Sequence, residues 1–300
     1  MLKNKIAINF EKKISSSNTV KAGVIGNPVK NSLSPKIHNF FIEKFKINGT
    51  YQAIEIEPAD FESAINNLVN QGFGGFNVTI PFKEKIFHKC DFVSNEAKII
   101  KAVNTVVIDE NKKLHGFNSD AQGFIDNIFD KYHNFIFEQK NAFVIGAGGA
   151  CRAIFYGLIT NGVKNIYITN RDINRAQNLI NDFSELAQKF KCNLFYLSHN
   201  NFENELANCD ILINSSSLGM IDQTPLLINL NNLKIKAIVC DIVYKPLITN
   251  LLLEAIKRGN PIVTGIGMLI RQALVGFNMW YGVLVKDTHD IEKLLTSNKI

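Results

Sequence analysis

A short apolar run, Phe143-Val144-Ile145, passes directly into Gly146-Ala147-Gly148-Gly149-Ala150-Cys151-Arg152 and then into a second apolar stretch, 153–159. The first glycine permits a tight turn and the second lets backbone approach a pyrophosphate. The helix that follows turns free N–H groups and the positive end of its dipole toward the anion. Cys151 at the third small position sets the helix slightly farther from the sheet. A lone GxG is weak, but this one follows a strand, opens a helix and precedes another strand at 165–169, which is the setting of a dinucleotide site. Gly146, Ala147, Gly148, Gly149 and Ala150 are therefore cofactor candidates.

The end of the next strand selects the cofactor, because a carboxylate there suits NAD and an arginine suits NADP. The chain has Asn170-Arg171-Asp172, with Arg175 one turn on. Arg171 and Arg175 can grip a 2′-phosphate, and Arg171 can also stack on adenine. Asp172 would repel that phosphate if turned inward, but its place before a helix makes it an N-cap. NADP is the expected cofactor.

At 300 residues, two domains are expected. From 141 onward, apolar strands (141–145, 165–169, 193–197, 211–214, 237–241, 261–264) alternate with helices (149–161, 173–190), the pattern of a parallel sheet covered on both faces. The first part reads as strands at 21–25, 51–56 and 75–79, helices opening at Ser34-Pro35 and Pro58, and a hairpin of 102–108 with 113–117. Asn118-Ser119-Asp120 reads as the cap of a helix from about Ala121, and the last helices start near Met268 and are expected to pack back on the first half. The fold class is α/β: an N-terminal α/β substrate domain (1–119 plus 266–300, with 1–20 a flexible leader) and a Rossmann-type, doubly wound NADP domain (120–265).

The net charge of +6 is spread along the chain, so no nucleic-acid tract is indicated. The polar, lysine-rich stretch 1–21 leads us to expect no signal peptide, and the sequence has no uncharged apolar run of about 18 residues. A cytoplasmic protein with no membrane or nucleic-acid partner is expected, as a monomer or homodimer. The five cysteines form no CxxC pair, and no metal site is expected.

Four further segments concentrate polar residues: Ser32-Leu33-Ser34-Pro35-Lys36-Ile37-His38-Asn39, Asn77-Val78-Thr79-Ile80-Pro81-Phe82-Lys83, Ala102-Val103-Asn104-Thr105 and Gly116-Phe117-Asn118-Ser119-Asp120. With the glycine loop, Asn170-Arg171, Asp241-Ile242-Val243-Tyr244 and 265–272, they stand in an order and spacing that resemble the shikimate dehydrogenase family from about Gly23 to Gly282. The resemblance implies NADPH-dependent reduction of 3-dehydroshikimate to shikimate, on the route to chorismate and aromatic amino acids. It implies that Ser32 and Ser34 hold the substrate carboxylate, with Tyr244 nearby in the substrate site, and that Thr79, Asn104 and Gln272 bond ring hydroxyls. Lys83 and Asp120, the latter also touching substrate, are the implied catalytic pair, and Asn170, Ile242 and Gly265 join the implied cofactor set. The residue types suit the chemistry: hydride reaching a ketone leaves charge on oxygen, which an ammonium such as Lys83 can stabilise and protonate.

The chain departs from the family pattern at Lys101, where glycine is usual, and at Asp172, where threonine is common. Lys98 and Lys101 read as surface charges and His38 as structural. Competing readings are an NAD-preferring quinate/shikimate dehydrogenase, a methylene-tetrahydrofolate dehydrogenase type disfavoured by Ser32 and Ser34, and a non-catalytic dinucleotide-binding redox sensor disfavoured by Lys83 with Asp120.

Overall fold

The computed structural model describes residues 19–297, so most of the expected leader lies outside the described residues. Two six-stranded sheets organise the chain. The first holds β1 (Val20–Gly26), β2 (Gly49–Glu55), β3 (Phe73–Val78), β4 (Phe92–Val93), β5 (Thr105–Ile108) and β6 (Leu114–Phe117) in the order β2-β1-β3-β5-β6-β4. Strand β1 runs parallel to β2 and β3, whereas β5 is antiparallel to β3 and β6. The apolar pattern at 102–117 thus does close a hairpin, and Asp109 Oδ1 fixes its turn by accepting from the Asn111 and Lys113 amides at 2.9 and 2.8 Å.

The second sheet contains β7 (Asn141–Ile145), β8 (Asn165–Thr169), β9 (Asn193–Tyr196), β10 (Ile211–Asn214), β11 (Ile238–Asp241) and β12 (Ile262–Val263), all parallel, in the order β12-β11-β10-β7-β8-β9. Counted within this half, the order is 3-2-1-4-5-6, the doubly wound Rossmann arrangement. Its switch point falls between β7 and β10, where ligands bind beyond the carboxyl ends of the strands. Buried Val144, Ile166, Ile168 and Ile213 meet Ile154, Phe155 and Leu158 of helix Gly149–Thr160 and Leu179 and Phe183 of helix Ile173–Phe190. Each such side chain contributes roughly 1.5–3 kcal/mol by leaving water.

The last long helix, Gly265–Tyr281, returns to the first sheet and buries Ile270, Ala273, Phe277 and Trp280 there. Trp280 Nε1 donates to the Val106 carbonyl at 3.0 Å. A side chain at Gly75 in β3 would collide with both the Trp280 indole and that carbonyl, so this close approach requires glycine. The helix begins at Gly265, three residues before the expected Met268.

The apolar spacing picks out no element between 81 and 102, yet two short helices stand there, Lys83–Lys89 and Asn95–Ile100. At seven and six residues they are too short to display a 3.6-residue period. The helix Asn250–Arg258 is also unanticipated, although Leu251, Leu252 and Ala255 lie together on its buried face and Thr249 caps it by accepting from the Leu252 amide at 3.4 Å. Among the described residues, no helix is long and apolar enough to cross a membrane. Nor does any group of three or more His, Cys, Asp or Glu stand where it could hold a metal ion.

Candidate active site

The glycine loop leaves β7 at the switch point. Gly146 has φ +105°, a region that L side chains rarely adopt, and an added Cβ would press on Ser215 and Ser216 at 3.1 Å. Gly148 is the N-cap of helix Gly149–Thr160, and no side chain caps that helix. Around a Cβ built on Gly148 there is nothing within 4 Å. The first-turn N–H groups therefore open onto space that an anion can fill. Nearby, the Thr169 hydroxyl at the end of β8 is buried without a partner, a polar atom left for a ligand to satisfy. These features fit a dinucleotide.

Arg171 and Arg175 are exposed and make no ion pair among the described residues. Asp172 is committed locally: its Oδ1 accepts from the amides of Asn174 at 2.9 Å and Arg175 at 3.4 Å, capping helix Ile173–Phe190. Asn170 Nδ2 donates to the Asp172 carbonyl at 2.8 Å and steadies the turn. Ala147 and Ala150 are half-buried along the loop, as is Ile242 beyond β11. Gly265 lies so close to the carbonyls of Ile242 and Val243 that a side chain there would displace them.

Across from the loop, a Cβ on Gly149 would lie 3.5 Å from the Cβ and Cδ of Lys83. The aliphatic stem of Lys83 thus stands over the glycine loop, although the two belong to different sheets. Lys83 opens the helix after Pro81, and its Nζ donates to Asp120 Oδ2 at 2.5 Å. Both groups are largely shielded, with side-chain exposures of 15% and 6%. Asn104 Nδ2 donates to Asp120 Oδ1 at 2.8 Å, to Ser119 Oγ at 3.0 Å and to Gln272 Oε1 at 3.4 Å. Four sequence-predicted residues, Lys83, Asp120, Asn104 and Gln272, therefore form one bonded cluster drawn from four segments. The expected cap of helix Asp120–Lys131 differs in detail. Asn118 Oδ1 accepts from the Asp120 amide at 3.0 Å, while the Ser119 and Asp120 side chains turn to Asn104. A charge-assisted bond to an ammonium is about twice as strong as a neutral one, so Lys83 outcompetes the backbone for the carboxylate.

The first helix, Ser34–Lys44, opens at Ser34-Pro35 as expected. Ser34 lies inside it, behind Leu33 as N-cap, and its amide donates to Ser32 Oγ at 3.2 Å. The Ser32 hydroxyl neighbours the Tyr244 phenol, which burial raises above its ordinary pKa. Thr79 is half-buried in the turn from β3 to Lys83, where its carbonyl accepts from the Phe82 amide at 3.0 Å.

Ser32, Ser34 and Thr79 make no direct hydrogen bond to the lysine cluster among the described residues. A relay does reach it: Tyr51, beside Ser34, donates its hydroxyl to Asn77 Oδ1 at 2.6 Å, and Asn77 Nδ2 donates to the Asn104 carbonyl at 3.1 Å. Sequence reasoning assigned Tyr51 and Asn77 no role. Asn77 carried a signal, being the one polar side chain in the otherwise apolar, wholly buried β3. Tyr51 carried none. His38 stacks on Tyr51 at 3.8 Å, and burial pushes its imidazole down to about 3, with Asn77 opposing. It is a neutral packing group.

Asp241 ends β11 and accepts from Thr249 Oγ1 at 2.7 Å, the Val243 amide at 2.9 Å and Asn214 Nδ2 at 3.0 Å. It thereby ties the loop bearing Tyr244 to the Asn214–Ser216 turn beside Gly146. Burial raises its carboxyl to about 6, with Thr249, Val243 and Asn214 opposing. The folded state therefore holds this proton more tightly than the unfolded chain, and the stability it contributes at low pH is lost as pH rises through about 6. Relative to wild type, Asp241→Asn is expected to gain roughly 2–3 kcal/mol between about pH 4 and pH 7. Urea unfolding at both pH values checks this, and parallel behaviour of the two proteins would refute it.

Lys101, expected to be a plain surface charge, has φ +55° at the end of helix Asn95–Ile100. Its Nζ donates to Asp182 Oδ1 at 2.5 Å, on a helix of the second sheet.

A doubly wound sheet with an open glycine cradle, set against a shielded lysine–carboxylate pair on a second α/β domain, defines a nicotinamide-dinucleotide oxidoreductase. Comparison with known proteins narrows the class. Residues 24–106 match the shikimate dehydrogenase substrate binding domain, and residues 129–242 match shikimate / quinate 5-dehydrogenase. The shikimate dehydrogenase (NADP(+)) of Caldanaerobacter subterraneus subsp. tengcongensis is 40% identical over 282 residues, covering 93% of this chain and 97% of its own. Among solved structures, the shikimate 5-dehydrogenase of Thermus thermophilus in complex with NADP(H) and shikimate is 30% identical with a TM-score of 0.80, over 93% of this chain and 99% of the other. The quinate dehydrogenase of Corynebacterium glutamicum in complex with NAD is 27% identical with a TM-score of 0.84, over 93% and 100%. The chain belongs to the shikimate dehydrogenase family.

Proposed function

We propose that this chain interconverts 3-dehydroshikimate and shikimate with NADPH and NADP as the redox pair, in the biosynthesis of chorismate and aromatic amino acids. The observation that carries the reading is the Lys83–Asp120 pair, held at 2.5 Å beside the dinucleotide loop. Gly146, Ala147, Gly148, Gly149 and Ala150 would hold the pyrophosphate, Arg171 and Arg175 the 2′-phosphate, and Asn170, Ile242 and Gly265 would line the remaining cofactor surface. Bound NADPH supplies the hydride to the ketone carbon.

The chain's own residues do the rest. Ser32, Ser34 and Tyr244 offer hydroxyls to the substrate carboxylate, and Thr79, Asn104 and Gln272 offer donors and acceptors to the ring hydroxyls. As charge builds on the ketone oxygen, the Lys83 ammonium stabilises it and transfers a proton from Nζ; in shikimate oxidation the same nitrogen takes the hydroxyl proton. Asp120 keeps the lysine aimed at that oxygen, and Asn104 keeps Asp120 from rotating. The shielding of both groups strengthens these interactions by lowering the local dielectric. A cytoplasmic setting suits the buried thiols of Cys151, Cys192, Cys209 and Cys240.

The runner-up is quinate oxidation with NAD. Asp172, the carboxylate that would favour NAD, is spent on its own helix amides, while Arg171 and Arg175 make no ion pair among the described residues. The test is kcat/KM for shikimate with NADP against quinate with NAD. A ratio well above one is expected, and a ratio below one would move the assignment to quinate.

A further inference from the structure

Lys101 occupies a left-handed backbone position, φ +55°, where glycine is favoured and a lysine is strained. Its side chain compensates by crossing to the dinucleotide domain. Lys101 Nζ meets Asp182 Oδ1 at 2.5 Å, and Arg152 Nη2 meets Asp182 Oδ2 at 2.7 Å. Arg152 Nε closes the ring by donating to the Ile100 carbonyl back on the first domain. The clasp therefore crosses the domain boundary twice.

Each side of the clasp leads to the site. Arg152 lies in the helix whose first residue is Gly149 of the dinucleotide loop. From Lys101 the chain runs three residues to Asn104, which holds Asp120. On the way, the Val103 amide donates to the Lys83 carbonyl at 2.9 Å and the Asn104 amide to the Phe117 carbonyl at 3.1 Å. Behind the clasp, Ile100 and Ala102 pack against Ala121 and Ala153, so a shift of one domain is felt by the 100–104 segment. Arg152 is nine-tenths buried and fixed, whereas the Lys101 side chain is 52% exposed and its ion pair is open to salt.

We propose that Lys101, through Asp182 and Arg152, is a positioning residue that holds the Asn104 segment in register for substrate. The proposal rests on the functional reading given above. Steady-state shikimate oxidation is measured for wild type, Lys101→Gln and Lys101→Arg at about 0.05 M and 0.5 M salt, between which the screening length falls severalfold. Lys101→Gln is expected to raise the shikimate KM about threefold at low salt, with kcat falling by less than that through Asp120 and the NADP KM unchanged. Salt should erase the difference by weakening the wild-type pair, and Lys101→Arg should keep wild-type values. A merely structural contact would move stability without this salt-dependent split. An unchanged KM in Lys101→Gln at low salt, or a shift undiminished by salt, overturns the proposal. Asp182→Asn attacks the clasp from its other end and should raise the same KM; if loss of the Arg152 partner prevents folding, the lysine variants still decide. If wild type fails to oxidise shikimate, the functional reading falls instead. The clasp is then decided by hydrogen exchange at the Val103 and Asn104 amides, which Lys101→Gln must accelerate at low salt and which, if unaccelerated, overturn it.

Discussion

Lys83→Ala is expected to lower kcat by roughly 10³–10⁴-fold while the shikimate KM changes less than about threefold. The split follows from the proton-transfer role proposed for the lysine. In the ground state its ammonium is already satisfied by Asp120 at 2.5 Å, so substrate gains little from it on binding. In the transition state the ketone oxygen carries charge and needs a proton, and among the described residues no other cation is bonded into the cluster of Asp120, Asn104 and Gln272. Only interactions stronger in the transition state than in the ground state raise turnover. Removing the lysine also leaves Asp120 shielded with Asn104 as its remaining side-chain partner, which destabilises the fold. The double variant Lys83→Ala/Asp120→Asn separates the two effects: it should recover stability and stay inactive. Steady-state kinetics with thermal melts read both, and near-wild-type turnover in Lys83→Ala would remove the lysine from the mechanism.

Arg171→Ala is expected to raise the KM for NADPH by about 10–100-fold and leave that for NADH nearly unchanged. The guanidinium is exposed and has no carboxylate partner among the described residues, so little competes with a phosphate for it. The adjacent Asp172 does not oppose binding from an inward position, because its Oδ1 is held by the amides of Asn174 and Arg175. Equal effects on the two cofactors would mean that Arg171 does not read the 2′-phosphate.

The second sheet was legible because a parallel sheet covered on both faces writes its strands as continuous apolar runs. Strands 141–145, 165–169 and 211–214 coincide with β7, β8 and β10. The glycine loop was legible because Gly146, at φ +105°, meets a backbone demand that acts locally, while Gly148 leaves open space at the helix N-terminus. Lys83 and Asp120 could be named from motifs, but their approach to one another depends on where β3 and β6 end in the first sheet. The Tyr51–Asn77 relay and the Lys101–Asp182 clasp are contacts between distant segments. Apolar patterning can single out a polar residue such as Asn77, but it does not say which distant segment that residue meets.

The reaction itself is the most direct test. The purified chain, given 3-dehydroshikimate and NADPH, is expected to form shikimate with one NADP released per molecule, and to run backward when supplied with shikimate and NADP. Consumption of neither substrate, or turnover only with quinate and NAD, would contradict the assignment.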